Sequence, residues 1–237
     1  MIKIAVGVGE NKNIIKAIDL FKKQQENIEI IQVDNDDDLV ESILNPDITS
    51  TVRGSLPAST VMKKLKSEFP NISRATYVNG EYEFLLAPVG IDEGNNLDEK
   101  LEIAKNCGNF LKTLNKTPKI AVMANGRAGD YGRSKEISSS IDESKELTEL
   151  IRKNTNFDVE NYYILIEKAI NDRCNVIIAP DGIIGNIIFR TLVLLNSWPS
   201  YGAITFGIDK IYIDTSRDQT TEGYLRSLNL AYDLANI

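Results

Sequence analysis

The chain has 237 residues, of which 42% are hydrophobic and 26% charged, a balance typical of a globular protein that buries its core in one large or two small domains. Its formal net charge of −7 disfavours a general nucleic-acid surface or an anionic-membrane surface. No apolar run approaches the roughly 20 residues that a membrane helix needs, so we expect neither nucleic acid nor membrane as a partner.

Histidine is absent from the sequence, and this restricts the possible chemistry. It excludes a Ser-His or Cys-His nucleophile, an imidazole general base and a histidine ligand to a metal or corrinoid. Cys107 and Cys174 are too far apart to form a metal motif. We expect both to be reduced core residues of a cytoplasmic protein without a metal site. Catalysis would have to use carboxylates, hydroxyls, Lys, Arg, Tyr and the backbone.

The chain opens with an apolar strand over residues 2–8 that turns at Gly7-Val8-Gly9 into an amphipathic helix. A second strand over residues 28–33 ends at Asp34. This order suggests a dinucleotide or S-adenosylmethionine site. The third glycine of that fingerprint is missing and the acid lies 25 residues beyond Gly9, so a plain βαβ unit is favoured.

A short extended run over residues 47–52 leads into Arg53-Gly54-Ser55, and Pro57 suits the first turn of the following helix. A backbone turn with an arginine and hydroxyl groups nearby can hold a phosphate. Arg53 can equally form a structural ion pair, and the sequence leaves these two roles open.

The middle of the chain predicts a hairpin at Asn79-Gly80, a capped helix beginning at Asn96 and a strand over residues 119–124. The loop that follows that strand, from Asn125 to Ser134, contains three glycines and two arginines. Ligands of α/β proteins gather at the carboxyl ends of strands, so we predict a phosphate or coenzyme loop there. Its candidate binding residues are Gly126, Arg127, Arg133 and Ser134.

The stretch from Asn175 to Leu195 predicts a buried strand, a turn at Pro180-Asp181-Gly182 and a helix after Gly185-Asn186. The amide groups and dipole at the start of such a helix favour an anion. The pattern also fits an ordinary strand-loop-helix unit without a ligand.

Two short strands, over residues 203–206 and 211–213, precede Ser216-Arg217 and a final helix over about residues 220–235. We predict a first domain formed by residues 1–85 and 206–237, and a second formed by residues 86–205. A cleft between them would be lined by the loops near Arg53, Arg127, Asp181 and Ser216.

Several of these motifs resemble those of one enzyme superfamily. The run from Cys174 to Leu195 resembles the PD-x-x-x-GN segment of phosphate acetyl- and butyryltransferases, and the DG-x-x-GN segment of the phosphate:acyl-carrier-protein acyltransferases. Thr215-Ser216-Arg217 before a final helix resembles the SR motif of the phosphotransacetylases. Residues 52–60 resemble the early glycine turn of the superfamily.

In length and detail the chain most resembles the MtxX family of methanogens, which is named as a methyltransferase subunit. The resemblance implies an α/β fold in which two α/β domains flank a cleft, as in the phosphotransacetylases and isopropylmalate dehydrogenases. It also implies transfer of an acyl group between phosphate and a thiol carrier such as coenzyme A. A small-molecule phosphate or acyl-thioester ligand is the expected partner.

The resemblance also implies roles for individual residues. Arg217 would bind the phosphate, and Ser216 would donate a hydrogen bond to the thiolate or the developing oxyanion. In the phosphotransacetylases the general base lies seven residues beyond the serine, where this chain has Gly223. Glu222 and Asp218 are the candidate replacements. Binding residues predicted elsewhere are Arg53, Gly54, Ser55, Asp181 and Asn186.

Two other functions stay open at the level of sequence. One is a methyltransferase subunit, as the family name says, although the S-adenosylmethionine fingerprint is incomplete. The other is a binding module that keeps the cleft and has lost catalysis. The feature that distinguishes such a module from an enzyme is the general base, because this chain has Gly223 at the position of that acid. A homodimer is also possible.

Overall fold

The computed structural model describes residues 1–57 and 60–237 in full and only the backbone at residues 58 and 59. The strands are β1 (Ile2–Gly7), β2 (Ile28–Val33), β3 (Ser50–Val52), β4 (Ser73–Asn79), β5 (Glu83–Ala87), β6 (Lys119–Met123), β7 (Asp158–Tyr163), β8 (Val176–Ile178), β9 (Ser200–Phe206) and β10 (Ile211–Asp214). The helices are α1 (Asn13–Gln24), α2 (Asp36–Leu44), α3 (Ala58–Glu68), α4 (Leu97–Thr113), α5 (Lys135–Asn154), α6 (Ile166–Asn171), α7 (Gly182–Phe189) and α8 (Thr221–Leu234). A 3-10 turn covers Ala128–Asp130, and a π-helical segment, Arg190–Leu195, continues α7.

The first of two compact units contains residues 1–72 and 199–237. Its strands lie in the order β2-β1-β3-β10-β9, with the first four parallel and β9 antiparallel to β10. The centre of β1 is fully buried, and α1 packs its apolar face against α8. Phe21 and Tyr232 meet there edge to face with their ring centroids 6.0 Å apart. The buried strands therefore follow the apolar runs of the sequence.

The second unit contains residues 73–198. Its strands lie in the order β4-β5-β8-β6-β7, with β4 antiparallel to β5 and the remaining four parallel. The hairpin predicted at Asn79-Gly80 is present, and so is the helix cap at Asn96, whose side chain accepts a hydrogen bond from the amide of Glu99 at 2.9 Å. The capping-box spacing thus correctly predicted the start of α4.

The units divide at positions other than those predicted from the sequence. The chain leaves the first unit after Ile72 and returns at Pro199, whereas the sequence places these crossings at 85/86 and 205/206. The reason is that β4 pairs with β5, which in turn pairs with β8, so the whole hairpin belongs to the second unit. Among the described residues, no helix combines the length and apolar character needed to cross a membrane.

Helix α7 rests directly on the loop after β5, which contains the cis Ala87–Pro88 peptide. A Cβ atom placed at Gly182 or Gly185 would overlap the carbonyl oxygen of Gly90 or Pro88, respectively. The side-chain amide of Asn186 donates to the carbonyl of Val89 at 2.9 Å. The glycines and asparagine of this motif therefore let a helix approach a backbone loop closely.

This close packing predicts that Gly185→Ala destabilises the protein, because the new methyl group would force α7 away from the Pro88 carbonyl. Overpacking of this kind costs about 1–3 kcal/mol of unfolding free energy, which urea denaturation followed by circular dichroism would measure. Gly129→Ala is the matched control, because no atom lies within 4 Å of a Cβ at that position. Equal unfolding free energies for the two variants would contradict the packing argument.

Candidate functional site

Three loops meet at one edge of the sheet of the first unit. Because β1, β3 and β10 are parallel neighbours, their carboxyl ends point the same way. The loops that follow them contain Gly7-Val8-Gly9, Arg53-Gly54-Ser55 and Thr215-Ser216-Arg217. The Arg53 and Ser216 motifs and the first glycine loop are therefore neighbours in space.

Arg53 is buried, with 5% of its surface exposed. Its Nε donates to the carboxylate of Asp214, and its two terminal nitrogens donate to the carbonyl oxygens of Leu56 and Thr215. The guanidinium therefore joins the loop after β3 to the end of β10. Arg53 thus forms the structural ion pair that the sequence left as one of two alternatives. Each of its three nitrogens donates to a group of the protein itself.

The Gly54 loop packs against the first glycine loop through backbone atoms. Gly54 has a φ of +62°, and a Cβ at this position would overlap the carbonyl oxygen of Gly7. The amide of Gly9 donates to Oγ of Ser55 at 2.8 Å, and the amide of Ser55 donates to the Gly7 carbonyl at 3.1 Å. The backbone groups of the two loops therefore bond to each other. This close approach accounts for the glycines, and no nucleotide is needed to explain them.

The loop at Ser216-Arg217 is fixed through its carbonyl groups. The hydroxyl of Tyr224, on α8, lies 3.1 Å from the Ser216 carbonyl oxygen and 2.9 Å from that of Arg217. The side-chain amide of Asn11 donates to the carbonyls of Arg217 and Gln219 at 2.9 and 3.0 Å. The backbone of this loop is therefore held from two sides, and neither supporting residue was predicted from the sequence.

Tyr224 is fully buried, and this burial raises its pKa to about 12. A tyrosine in an unfolded chain ionises near pH 10, so the folded state favours the protonated phenol. The stability contributed by this group is fully present below pH 10 and is lost as the pH rises toward 12. Across the neutral range Tyr224 therefore remains a hydrogen-bond donor to the loop.

Several polar side chains at this loop reach solvent, although those of Thr215 and Gln219 are buried. Arg217, Asp218 and Glu222 are exposed and Ser216 is half-buried. Oγ of Ser216 accepts a hydrogen bond from the amide of Asp218 at 3.3 Å, which leaves its proton able to donate. The guanidinium of Arg217 donates no hydrogen bond to any residue that the structure describes.

The space around Gly223, seven residues beyond Ser216, is filled by a neighbour. A Cβ at Gly223 would lie 2.5 Å from Cδ and from Oε1 of Gln219, a residue that is itself 5% exposed. The amide of Gly223 donates to Oγ1 of Thr220, the cap of α8, at 3.1 Å. A side chain at 223 would therefore have to displace Gln219.

The candidate residues of the second unit lie at the carboxyl ends of its own parallel strands. Asp181 and Ser134 cap α7 and α5, since their side chains accept from the amides of Ile184 at 2.8 Å and Ile137 at 3.2 Å. The side chain of Asn186 likewise donates to the Val89 carbonyl, so all three side chains bond to groups within the protein. A binding role for these three residues stays a prediction.

The loop from Asn125 to Ser134 is organised by Asp130. Its carboxylate accepts from the Arg127 amide at 2.8 Å and pairs with Arg133 at 2.8 Å, and these two bonds lower the pKa of Asp130. Gly126 is buried, whereas the Arg127 and Arg133 side chains are exposed. The loop thus presents two cations to solvent, with Arg133 partly neutralised.

The sequence did not reveal two ion pairs in this unit. Arg74 and Glu93 are buried together, 2.7 Å apart, and Lys100 and Glu143 lie 2.9 Å apart on α4 and α5. A charged residue within an amphipathic pattern gives no sign of its distant partner. Among the described residues, no group of three or more Cys, Asp or Glu side chains is placed to hold a metal ion.

Comparison with known proteins finds relatives by sequence among methanogens. An uncharacterized methyltransferase of Methanocaldococcus jannaschii is 37% identical over 238 residues, covering 96% of each chain. A protein of Methanosarcina barkeri named "Putative methyltransferase mtx subunit X" is 33% identical, covering 80% of this chain and 71% of its own. No model of a protein family matches the sequence.

Solved structures with the same fold come from another group of enzymes. A branched-chain phosphotransacylase from Enterococcus faecalis has a TM-score of 0.73 with 17% identity, covering 99% of both chains. A phosphotransacetylase from Streptococcus pyogenes has a TM-score of 0.71 with 17% identity, covering 99% of this chain and 94% of its own. A 4-hydroxythreonine-4-phosphate dehydrogenase from Klebsiella pneumoniae has a TM-score of 0.64 with 12% identity, covering 99% of this chain and 100% of its own. At these identities the likeness shows the fold alone.

The burial of Arg53 predicts a large loss of stability for Arg53→Met, because the variant removes the guanidinium that pairs with the buried carboxylate of Asp214 and holds two backbone carbonyls. Breaking a buried pair in this way costs about 3–5 kcal/mol of unfolding free energy. Arg152→Met is the matched control, since its pair with Glu149 is half exposed or more and contributes about 1 kcal/mol or less, while its bond to the Val159 carbonyl contributes about 0.5–1.5 kcal/mol. Chemical denaturation measures both, and a loss below about 1 kcal/mol for Arg53→Met would contradict its structural role.

Proposed function

The chain belongs to the MtxX-type family of methanogens, and we propose that it moves an acyl group between phosphate and a thiol carrier such as coenzyme A. The observation that carries this proposal is the loop at Ser216-Arg217. Its backbone is fixed by Tyr224 and Asn11, while its hydroxyl and guanidinium groups are directed outward at the start of α8. The phosphotransacylase fold supports the proposal.

Arg217 would bind the phosphate group. Its planar guanidinium can donate two parallel hydrogen bonds to two phosphate oxygens, and no described residue occupies those donors. The dipole at the N-terminus of α8 adds a favourable field for an anion. We assign Arg53 to the support of the loop instead, because its guanidinium is buried on Asp214.

In the transfer step, the thiol sulfur would attack the acyl carbon while the bond from that carbon to the phosphate oxygen breaks. The phosphate leaves with the electron pair, and the thiol proton passes to a carboxylate. The hydroxyl of Ser216 would donate to the oxyanion or the thiolate as charge develops. Asp218 and Glu222 are the exposed carboxylates next to this loop and are the proposed bases.

A binding module without catalysis is the second candidate. It is favoured by the packing at Gly223, where the buried side chain of Gln219 takes the space that the family's acid would need. A protein of this kind would bind phosphate and the thiol carrier but would form no thioester from acyl phosphate. An assay of thioester formation, run with a protein shown to bind phosphate, separates the two.

Methyl transfer, the activity in the names of the relatives, receives less support from the structure. The Gly7-Val8-Gly9 loop is filled by backbone contacts with Gly54 and by the hydroxyl of Ser55. The amide of Gly9, one of the donors such a loop would offer a nucleotide, is already bonded.

We also propose a homodimer in the cytoplasm. The apolar helix α7 and the π-helical segment after it expose Ile183, Ile187 and Leu195, with 56%, 56% and 81% of their surfaces accessible. Exposed large apolar side chains close together, such as Ile183 and Ile187 one helical turn apart, are typical of an interface with another protein surface. The molar mass of the purified chain in light scattering tests this: a single-chain mass would contradict it.

The role of Arg217 predicts the outcome of Arg217→Lys. Lysine keeps the charge but loses the planar pair of donors, and losing one charge-assisted hydrogen bond of about 1.5–3 kcal/mol lowers phosphate affinity about tenfold or more. Calorimetric titration with inorganic phosphate measures this.

The matched control is Arg190→Lys, because Arg190 is an exposed arginine of the other unit. It should bind phosphate as the wild-type protein does. Equal affinities in wild type and Arg217→Lys, with both proteins folded, would rule out Arg217 as the phosphate ligand.

A further inference from the structure

The sequence contains two Asn-Gly dipeptides, Asn79-Gly80 and Asn125-Gly126, and the fold gives them different surroundings. In such a pair the backbone nitrogen of glycine can attack the side-chain carbonyl carbon of asparagine, because glycine has no Cβ to hinder the approach. Asparagine is for this reason one of the thermolabile residues of proteins. The attack requires a glycine amide without a competing acceptor and a main chain that can bend toward the side chain.

The fold restrains the first dipeptide, Asn79-Gly80. Asn79 is the last residue of β4 and pairs with Glu83 of β5, so its main chain is fixed in the sheet. The Gly80 amide donates to the carbonyl oxygen of Tyr82 at 3.1 Å. A Cβ at Gly80 would lie 2.6 Å from an atom of the Trp198 ring, so this ring also limits movement of the turn. Each of these contacts opposes the attack.

The second dipeptide, Asn125-Gly126, lacks these restraints. Asn125 is exposed in the loop after β6, and its side chain forms no hydrogen bond with any residue that the structure describes. The flanking backbone amides have protein acceptors, since that of Asn125 donates to Oγ of Ser140 at 3.0 Å and that of Arg127 to the carboxylate of Asp130 at 2.8 Å. The Gly126 amide between them has none in the described part of the chain. A buried N–H that no protein group accepts bonds to water as a rule, and water can take its proton.

We propose that Asn125 is a site of spontaneous deamidation. The Gly126 nitrogen forms a bond to Cγ of Asn125 and gives up its proton to water, while ammonia leaves with the electron pair of the old C–N bond. Water then opens the resulting cyclic succinimide at either of its carbonyl groups. The products are aspartate and isoaspartate, and in isoaspartate the main chain runs through the former side-chain carbon.

The modification changes the charge of the loop from Asn125 to Ser134. Arg127 and Arg133 outnumber Asp130, the acid of this loop, and a carboxylate at position 125 makes the acidic and basic side chains equal in number. Isoaspartate also lengthens the main chain between β6 and the cap of α5. The site is independent of the proposed acyl transfer, because the reacting groups are the protein's own.

Peptide mass spectrometry after timed incubation in mildly alkaline buffer tests this, with the same protein unfolded in guanidinium chloride as the reference. Trypsin releases Asn125 within residues 120–127 and Asn79 within residues 75–100, and fragmentation locates the acid formed in each peptide. The two sites should react at similar rates in the unfolded chain, because both are Asn-Gly. In the folded protein Asn79 should react about two- to tenfold more slowly than Asn125, because the Gly80 hydrogen bond must first break.

Asn125→Gln provides a second measurement, because glutamine closes the larger ring far more slowly and the exposed side chain has no hydrogen bond to lose. In native isoelectric focusing, the incubated wild-type protein and the matched control Asn79→Gln should gain a more acidic species that folded Asn125→Gln does not form. An acidic species that forms equally fast in Asn125→Gln would overturn the inference. So would a folded wild-type protein in which Asn125 does not react, or reacts no faster than Asn79.

Discussion

The buried contact between Arg53 and Asp214 is the interaction on which the site of the first unit depends. It joins two loops that are 161 residues apart in the chain and gives each a fixed position at the same edge of the sheet. The guanidinium also holds the carbonyl groups of Leu56 and Thr215. Since Thr215 directly precedes Ser216, a shift of Arg53 would be transmitted to the loop that we assign to phosphate. In the proposed function Arg217 binds the phosphate, and the buried Arg53 fixes the backbone beneath it.

The glycine motifs of this chain are explained largely by the packing of backbone on backbone. Gly54 approaches the Gly7 carbonyl, and Gly185 approaches the Pro88 carbonyl, at positions where a side chain would not fit. Polar residues of the same motifs, such as Asp181 and Asn186, complete the seating of α7 through hydrogen bonds. Motifs shared within a superfamily therefore report the fold more directly than the reaction. In agreement with this, the relatives of the chain by sequence are named as methyltransferases, whereas the solved structures with its fold include phosphotransacylases.

The sequence predicted the fold well where local patterns decide structure. Apolar runs located β1, β6 and β8, and the spacing from Asn96 to Glu99 located the start of α4. It predicted poorly what depends on distant partners. The Asn79-Gly80 turn indicates a hairpin but not the unit to which the hairpin belongs, which its pairing with β8 decides. Likewise, neither the burial of Arg53 on Asp214 nor that of Lys100 beside Glu143 leaves a periodic trace, because each partner lies on a different element.

The central claim is that this fold, in a chain whose relatives are named for methyl transfer, binds phosphate and a thiol carrier. A thermal-shift panel of the wild-type protein with phosphate, acetyl phosphate, coenzyme A and S-adenosylmethionine tests it most directly, since a ligand that binds only the folded state raises the melting temperature. We expect the melting temperature to rise with the concentration of phosphate, acetyl phosphate and coenzyme A, and to stay constant with S-adenosylmethionine. A rise with S-adenosylmethionine, and with none of the other three, would contradict the account.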